Sequence, residues 1–113
     1  MALTSQVLTV GVNTAATGNT TIVAAPAAGQ QILLRGLGLL INGATILTFN
    51  SQLSGMSFGP FNFSAAGQLV LPDLMPTEEA DPYYTAFPAA TALVINSSGT
   101  TIQISGYMRY SIA

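Results

Sequence analysis

All four acidic residues of this 113-residue chain fall within one short stretch: Asp73, Glu78, Glu79 and Asp81. Carboxylates this close invite three readings. An oxygen-ligand calcium site would combine them with backbone carbonyls, but the spacing lacks the D-x-[DN]-x-[DN]-G run that wraps such a loop round the ion. Paired catalytic carboxylates of the glycosidase kind need a sugar-binding cleft, usually lined with Trp, and the chain has none. The third reading is a solvated acidic loop tip that keeps an exposed segment soluble. It fits the composition best, so no metal ligand and no catalytic acid is assigned.

Arg35 and Arg109 are the only basic side chains. Arg35 stands in alternating register with Leu33, Leu37 and Leu39, whereas Arg109 falls on the polar face of the last apolar-alternating segment. An arginine among leucines must meet a carboxylate or backbone carbonyls, because an unpaired buried charge is prohibitively unfavourable. Asp73, Glu78, Glu79 and Asp81 are the only side-chain carboxylates that can serve, within the chain or across an interface.

Nucleophilic catalysis finds no base. Ser and Thr are abundant, but their hydroxyls need His or Lys for activation, and the chain has no His, Lys or Cys. Without cysteine there is no disulfide scaffold and no thiolate zinc site. Gly36-Leu37-Gly38 lies inside an apolar run, not between a strand and a helix, so it is no phosphate loop. Asn96-Ser97-Ser98 matches the glycosylation pattern by chance. The chain is expected to be no enzyme and to use no cofactor.

Half the residues are hydrophobic and 5% are charged, against roughly 25% charged in an ordinary domain. Disorder is excluded by that apolar content. A membrane span is not expected, since the longest apolar run, residues 32–41, is half the length of about 20 residues required and contains Arg35. The start, MALTSQVLTV, lacks the basic and apolar regions of a secretory signal. A net charge of −2 argues against nucleic-acid binding, which needs several Lys or Arg contacts to phosphate. Little charge with much apolar residue favours association, so a homo-oligomer is expected.

The elements that must position these residues are strands. Period-two alternation dominates and no helical stripe appears. Strands are predicted over residues 5–12, 20–25, 30–41, 44–50, 60–64, 68–71, 91–96 and 100–112. Residues 30–50 read as a hairpin across Asn42-Gly43, the pair favoured in type I′ turns. Residues 91–112 read as a second hairpin across Ser97-Ser98-Gly99, and residues 51–59 as a polar loop. In the last strand Ile102, Ile104, Met108, Tyr110 and Ile112 share one face, while Gln103, Ser105, Tyr107, Arg109 and Ser111 share the other. Gly36 and Gly38 should mark a bulge, a bend or a close backbone approach. The expectation is all-β: one antiparallel sandwich or barrel over residues 1–113, jelly-roll-like, of seven to eight strands. Residues 1–19 are either an arm and joint that pair with a neighbouring chain or an ordinary first strand.

Residues 72–90 break the pattern. They carry four of the six prolines and read as a long excursion outside the sheet, bearing Leu74, Met75, Tyr83, Tyr84 and Phe87. Such residues either anchor an interface or fold back to cap one end of the sandwich. Together with Arg35, Arg109, Asp73, Glu78, Glu79 and Asp81 they make up the candidate interface.

Four stretches carry a family resemblance: A-A-G-Q-Q-I-L-L-R-G-L-G (27–38), G-A-T-I-L-T-F-N-S (43–51), S-G-M-S-F-G-P-F-N-F-S-A-A-G-Q-L-V-L-P (54–72) and A-L-V-I-N-S-S-G-T-T-I-Q-I-S-G-Y-M-R-Y (92–110). Over about three-quarters of its length the chain resembles small β proteins encoded among the structural genes of tailed bacteriophages. It departs from them in the proline and acids of residues 72–82 and in Pro88-Ala89-Ala90, where a glycine turn is commoner. The resemblance implies a capsid decoration, or cement, protein. That would be made in the bacterial host cytoplasm and bound as a trimer, or less favourably a dimer, to major capsid proteins on the exterior of the virion. A minor head-fibre, neck or tail component and a carbohydrate-binding adhesin-type sandwich are the alternatives.

Overall fold

The computed structural model describes residues 6–50 and 57–113. In chain order the strands are β1 (Leu8–Thr14), β2 (Gly18–Val23), β3 (Ile32–Ile41), β4 (Thr45–Asn50), β5 (Ser57–Phe63), β6 (Gly67–Leu71), β7 (Thr85–Ala86), β8 (Leu93–Ser97) and β9 (Ile104–Ile112). Among the described residues there is no helix. One sheet has the order β1-β9-β3-β6, with β7 also on β3; the other has the order β2-β8-β4-β5. Every pairing is antiparallel.

Alternation explains the core. Ile32, Leu34, Leu37, Leu39 and Ile41 of β3, with Met108 and Ile104 of β9, meet Leu47 and Phe49 of β4 and Leu93 and Ile95 of β8. The β9 faces are those expected from its sequence. Fully burying one such side chain contributes about 1.5–3 kcal/mol, so two sheets with one apolar face each are driven together.

Neither expected hairpin forms. β3 and β4 lie in different sheets, as do β8 and β9. A type I′ turn needs positive φ at both central residues, and neither Asn42 nor Gly43 has it. The two connections bind each other instead: Asn42 N donates to Gln103 O at 3.2 Å and Gln103 N donates to Asn42 Oδ1 at 2.8 Å. Laid flat as a hairpin, two strongly apolar strands would share one uncovered face. Crossing between sheets turns those faces toward each other.

Other boundaries also move. Residues 57–59 belong to β5, whereas the expected loop over residues 51–56 lies outside the described residues. β1 is an edge strand of its own chain, running from Leu8 opposite Tyr110 to Thr14 opposite Ile104; residues 1–5 of the expected arm lie outside the described residues. The expected joint is tied down, with Thr17 Oγ1 donating to Gly99 O at 2.9 Å. Among the described residues nine strands stand against the expected seven to eight, because the excursion returns as β7, pairing Ala86 and Thr85 with Leu33 and Leu34.

The sequence register of Arg35 is corrected by a bulge. Leu34 opposes Tyr110 and Gly36 opposes Arg109, so Arg35 is the extra residue. A bulge shifts the alternation by one. Ile32 and Leu34 point inward before it, Leu37 and Leu39 after it. Arg35 therefore does not share the face of Leu37 and Leu39.

Candidate functional site

The bulge lies where β6 ends on one half of β3 and β7 begins on the other. Between them the chain leaves the sheet as a strap, residues 72–84, whose two limbs return to β3 at the bulge. Leu74 N donates to Arg35 O and Tyr84 N to Leu34 O, both at 2.8 Å. These bonds satisfy the carbonyls that a bulge takes out of the ladder.

Arg35 is fully buried beneath this strap. Its Nε donates to Ser111 Oγ at 3.0 Å, Nη1 to Pro82 O and Nη2 to Asp81 Oδ1. The Asp81 side chain is half-exposed and forms an ion pair with this buried guanidinium. The second ion pair joins Arg109 Nη1 to Asp73 Oδ2 at the other limb. Both arginines thus meet carboxylates of the acidic stretch, within the chain.

Two glycines make room for this. A Cβ on Gly36 would come within 2.5 Å of Asp73 Oδ1 and 3.0 Å of its Cα, so a bare backbone is what lets the strap lie down there. A Cβ on Gly38 would come within 2.8 Å of the Tyr107 ring, which therefore covers the glycine. The Arg109 guanidinium lies 5.1 Å from the centre of that ring, a cation–π contact.

The apolar residues of the excursion divide. Phe87 is fully buried in the core and cannot anchor a neighbouring chain. Tyr84 packs against the core and its hydroxyl donates to Pro72 O at 2.5 Å. Leu74 is half-buried, whereas Met75 and Tyr83 are exposed. Glu78 and Glu79 are exposed at the tip. There Thr77 N donates to Ala80 O at 2.7 Å, and Thr77 Oγ1 accepts from Ala80 N at 3.0 Å.

This concentrates chemistry on one side of the sandwich. All six charged side chains belong to the β1-β9-β3-β6 sheet or its strap. So do Leu40, Val70, Met75, Tyr83 and Tyr107, five of the six large apolar side chains exposed among the described residues. The sixth, Ile46, belongs to the other sheet, whose outward positions are otherwise neutral, including Asn19, Thr21, Thr48, Asn62 and Asn96. Leu40, Val70 and Tyr107 were absent from the candidate set. Their only signal was an apolar residue at the outward position of an alternating strand, and Tyr107 alone follows a glycine, Gly106. No group of three or more His, Cys, Asp or Glu able to hold a metal occurs among the described residues.

No family model, curated protein or solved structure matches the chain.

Proposed function

We propose that the chain is a non-enzymatic structural protein of a tailed-phage particle. It decorates the outer surface of the head as a trimer and bridges neighbouring major capsid proteins. The observation that carries this reading is the two-sidedness just described. Among the described residues, one side of the sandwich holds all the side-chain charge and five of the six exposed large apolar residues, and the other is uncharged. A protein that clamps a shell needs one side for the shell and one for solvent. Exposed apolar residues gathered with charge on one side fit an interface better than a free surface.

The strand orders β1-β9-β3-β6 and β2-β8-β4-β5 support a finer reading of the sandwich as a jelly roll with β7 added. That architecture recurs among viral capsid domains. The work would be mechanical: at about 25 cal/mol per Å² of apolar surface removed from water, a modest contact repeated over a shell resists the pressure of packaged DNA. The strap supports this role because its limbs are already held by ion pairs and backbone bonds, so little ordering is left for binding to impose.

Quantitative mass spectrometry of purified particles tests the reading, with gentle heating to strip the protein. Decoration requires hundreds of copies per particle and earlier DNA loss from stripped heads. A dozen copies or fewer, or none, would sink it.

A further inference from the structure

The charged side has one feature that selects its partner. Arg35 is held by Asp81 and Arg109 by Asp73, which leaves Glu78 and Glu79 as the whole of the formal net charge of −2. There is no Lys and no His, so the chain has no side-chain cation to offer those glutamates except by breaking its own ion pairs. Beside the strap, Val70 and Tyr107 flank Gly38 from the two neighbouring strands, and Leu40 sits diagonal to both. Leu40 and Val70 are 58% and 56% exposed, and on the strap itself Met75 and Tyr83 are 55% and 48% exposed.

We propose that this face, Leu40, Val70, Tyr107, Met75 and Tyr83, docks on a different protein. The partner's surface is apolar at its centre and bears Lys or Arg opposite Glu78 and Glu79. A second copy of the chain does not fit here. Its surfaces offer neutral polar groups, apolar side chains and carboxylates but no side-chain cation outside its own ion pairs, so Glu78 and Glu79 would gain no charge partner there. A basic rim is neutralised by Glu78 and Glu79, while the apolar centre supplies the desolvated contact that carries affinity. This rests on the reading of the charged side as the docking side, and it adds the partner's chemistry: heterologous and basic.

The test places the photocrosslinker p-benzoylphenylalanine at Leu40 and at Tyr83, in separate full-length proteins. Both positions are exposed, so each variant should melt within a few degrees of the parent. After irradiation of purified particles and of cells making the protein, the crosslinked peptides are sequenced. Both positions should capture one other polypeptide, at a peptide with Lys or Arg within a few residues of the link. The charge reversal Glu78→Lys with Glu79→Lys should cut the yield at least about tenfold, whereas Glu78→Asp with Glu79→Asp should keep most of it.

Crosslinks mainly between copies of the chain, a partner peptide without cations, yields untouched by charge reversal, or no crosslink from either position would each overturn the proposal. A basic partner other than the major capsid protein would uphold it and reject decoration of the shell. Hundreds of copies per particle with only self-crosslinks would do the reverse.

Discussion

Arg35 and Asp81 are expected to respond very differently when each is removed in turn. The Arg35 side chain is completely buried, whereas that of Asp81 is 47% exposed. In Asp81→Ala the guanidinium stays under the strap with only Pro82 O and Ser111 Oγ as partners. Breaking a buried pair this way costs about 3–5 kcal/mol when both ions are buried. Half-exposure of Asp81 and the two surviving bonds reduce that here to roughly 2–3 kcal/mol. Arg35→Met removes the buried charge and keeps most of the volume. Asp81 then turns to water, and the loss is about 1 kcal/mol for the bonds to Pro82 and Ser111.

The double variant should therefore be more stable than Asp81→Ala alone, by roughly 1–2 kcal/mol. Urea unfolding followed by circular dichroism gives the free energies, and at about 4 °C per kcal/mol the melting temperatures should follow the same order. Hydrogen exchange locates the effect: the Leu74 and Tyr84 amides, which donate to β3 at the bulge, should speed up more in Asp81→Ala than the Met108 amide of the core sheet. A double variant no more stable than Asp81→Ala, or Arg35→Met costing more than Asp81→Ala, would refute the reasoning.

Other substitutions probe the remaining contacts. Gly36→Ala should cost about 1–3 kcal/mol by lifting Asp73 off β3, with faster exchange of the Leu74 amide as its signature. Phe87→Ala should cost about 3–5 kcal/mol as a core truncation, against less than about 0.5 kcal/mol for Met75→Ala; both are read by urea unfolding. Thr45→Val should cost about 1–3 kcal/mol. Its buried hydroxyl lies 2.8 Å from Ser97 Oγ and accepts from Gly99 N at 2.9 Å, so the variant leaves both without that partner. Gly38→Ala should swing the Tyr107 ring off the backbone, seen as a shifted ring signal in NMR, at a cost of about 1 kcal/mol.

Much of the β architecture was legible because strands follow a local rule. Alternation in residues 100–112 assigned the inward and outward faces of β9, and the sparseness of charge pointed both arginines toward the one acidic stretch. Turn chemistry misled. Asn42-Gly43 is a strong local hairpin signal, yet a local signal says nothing about whether the next strand pairs with the last or crosses to cover it. Burying two apolar faces against each other outweighed the preference of one dipeptide. The strap was visible as a break in period, but not its division into a core residue, Phe87, and exposed ones, Met75 and Tyr83, because large apolar side chains served both ends.

By itself the sequence determined that this protein is a strand-built, sparsely charged chain with no His, Lys or Cys. Those properties belong to residue types and a period of two, and no fold alters them. Only the tertiary structure decided which carboxylate meets which arginine. One extra residue at Arg35 moved that side chain away from the face of Leu37 and Leu39 and placed it beneath the strap. Gly36 and Gly38 signalled a bulge or a close approach from the sequence, but which residue becomes the extra one is set by how neighbouring strands pair, an interaction between residues some 75 positions apart, as in Arg35 and Ser111. That distance in the chain is why the local pattern could not place Arg35 beneath the strap.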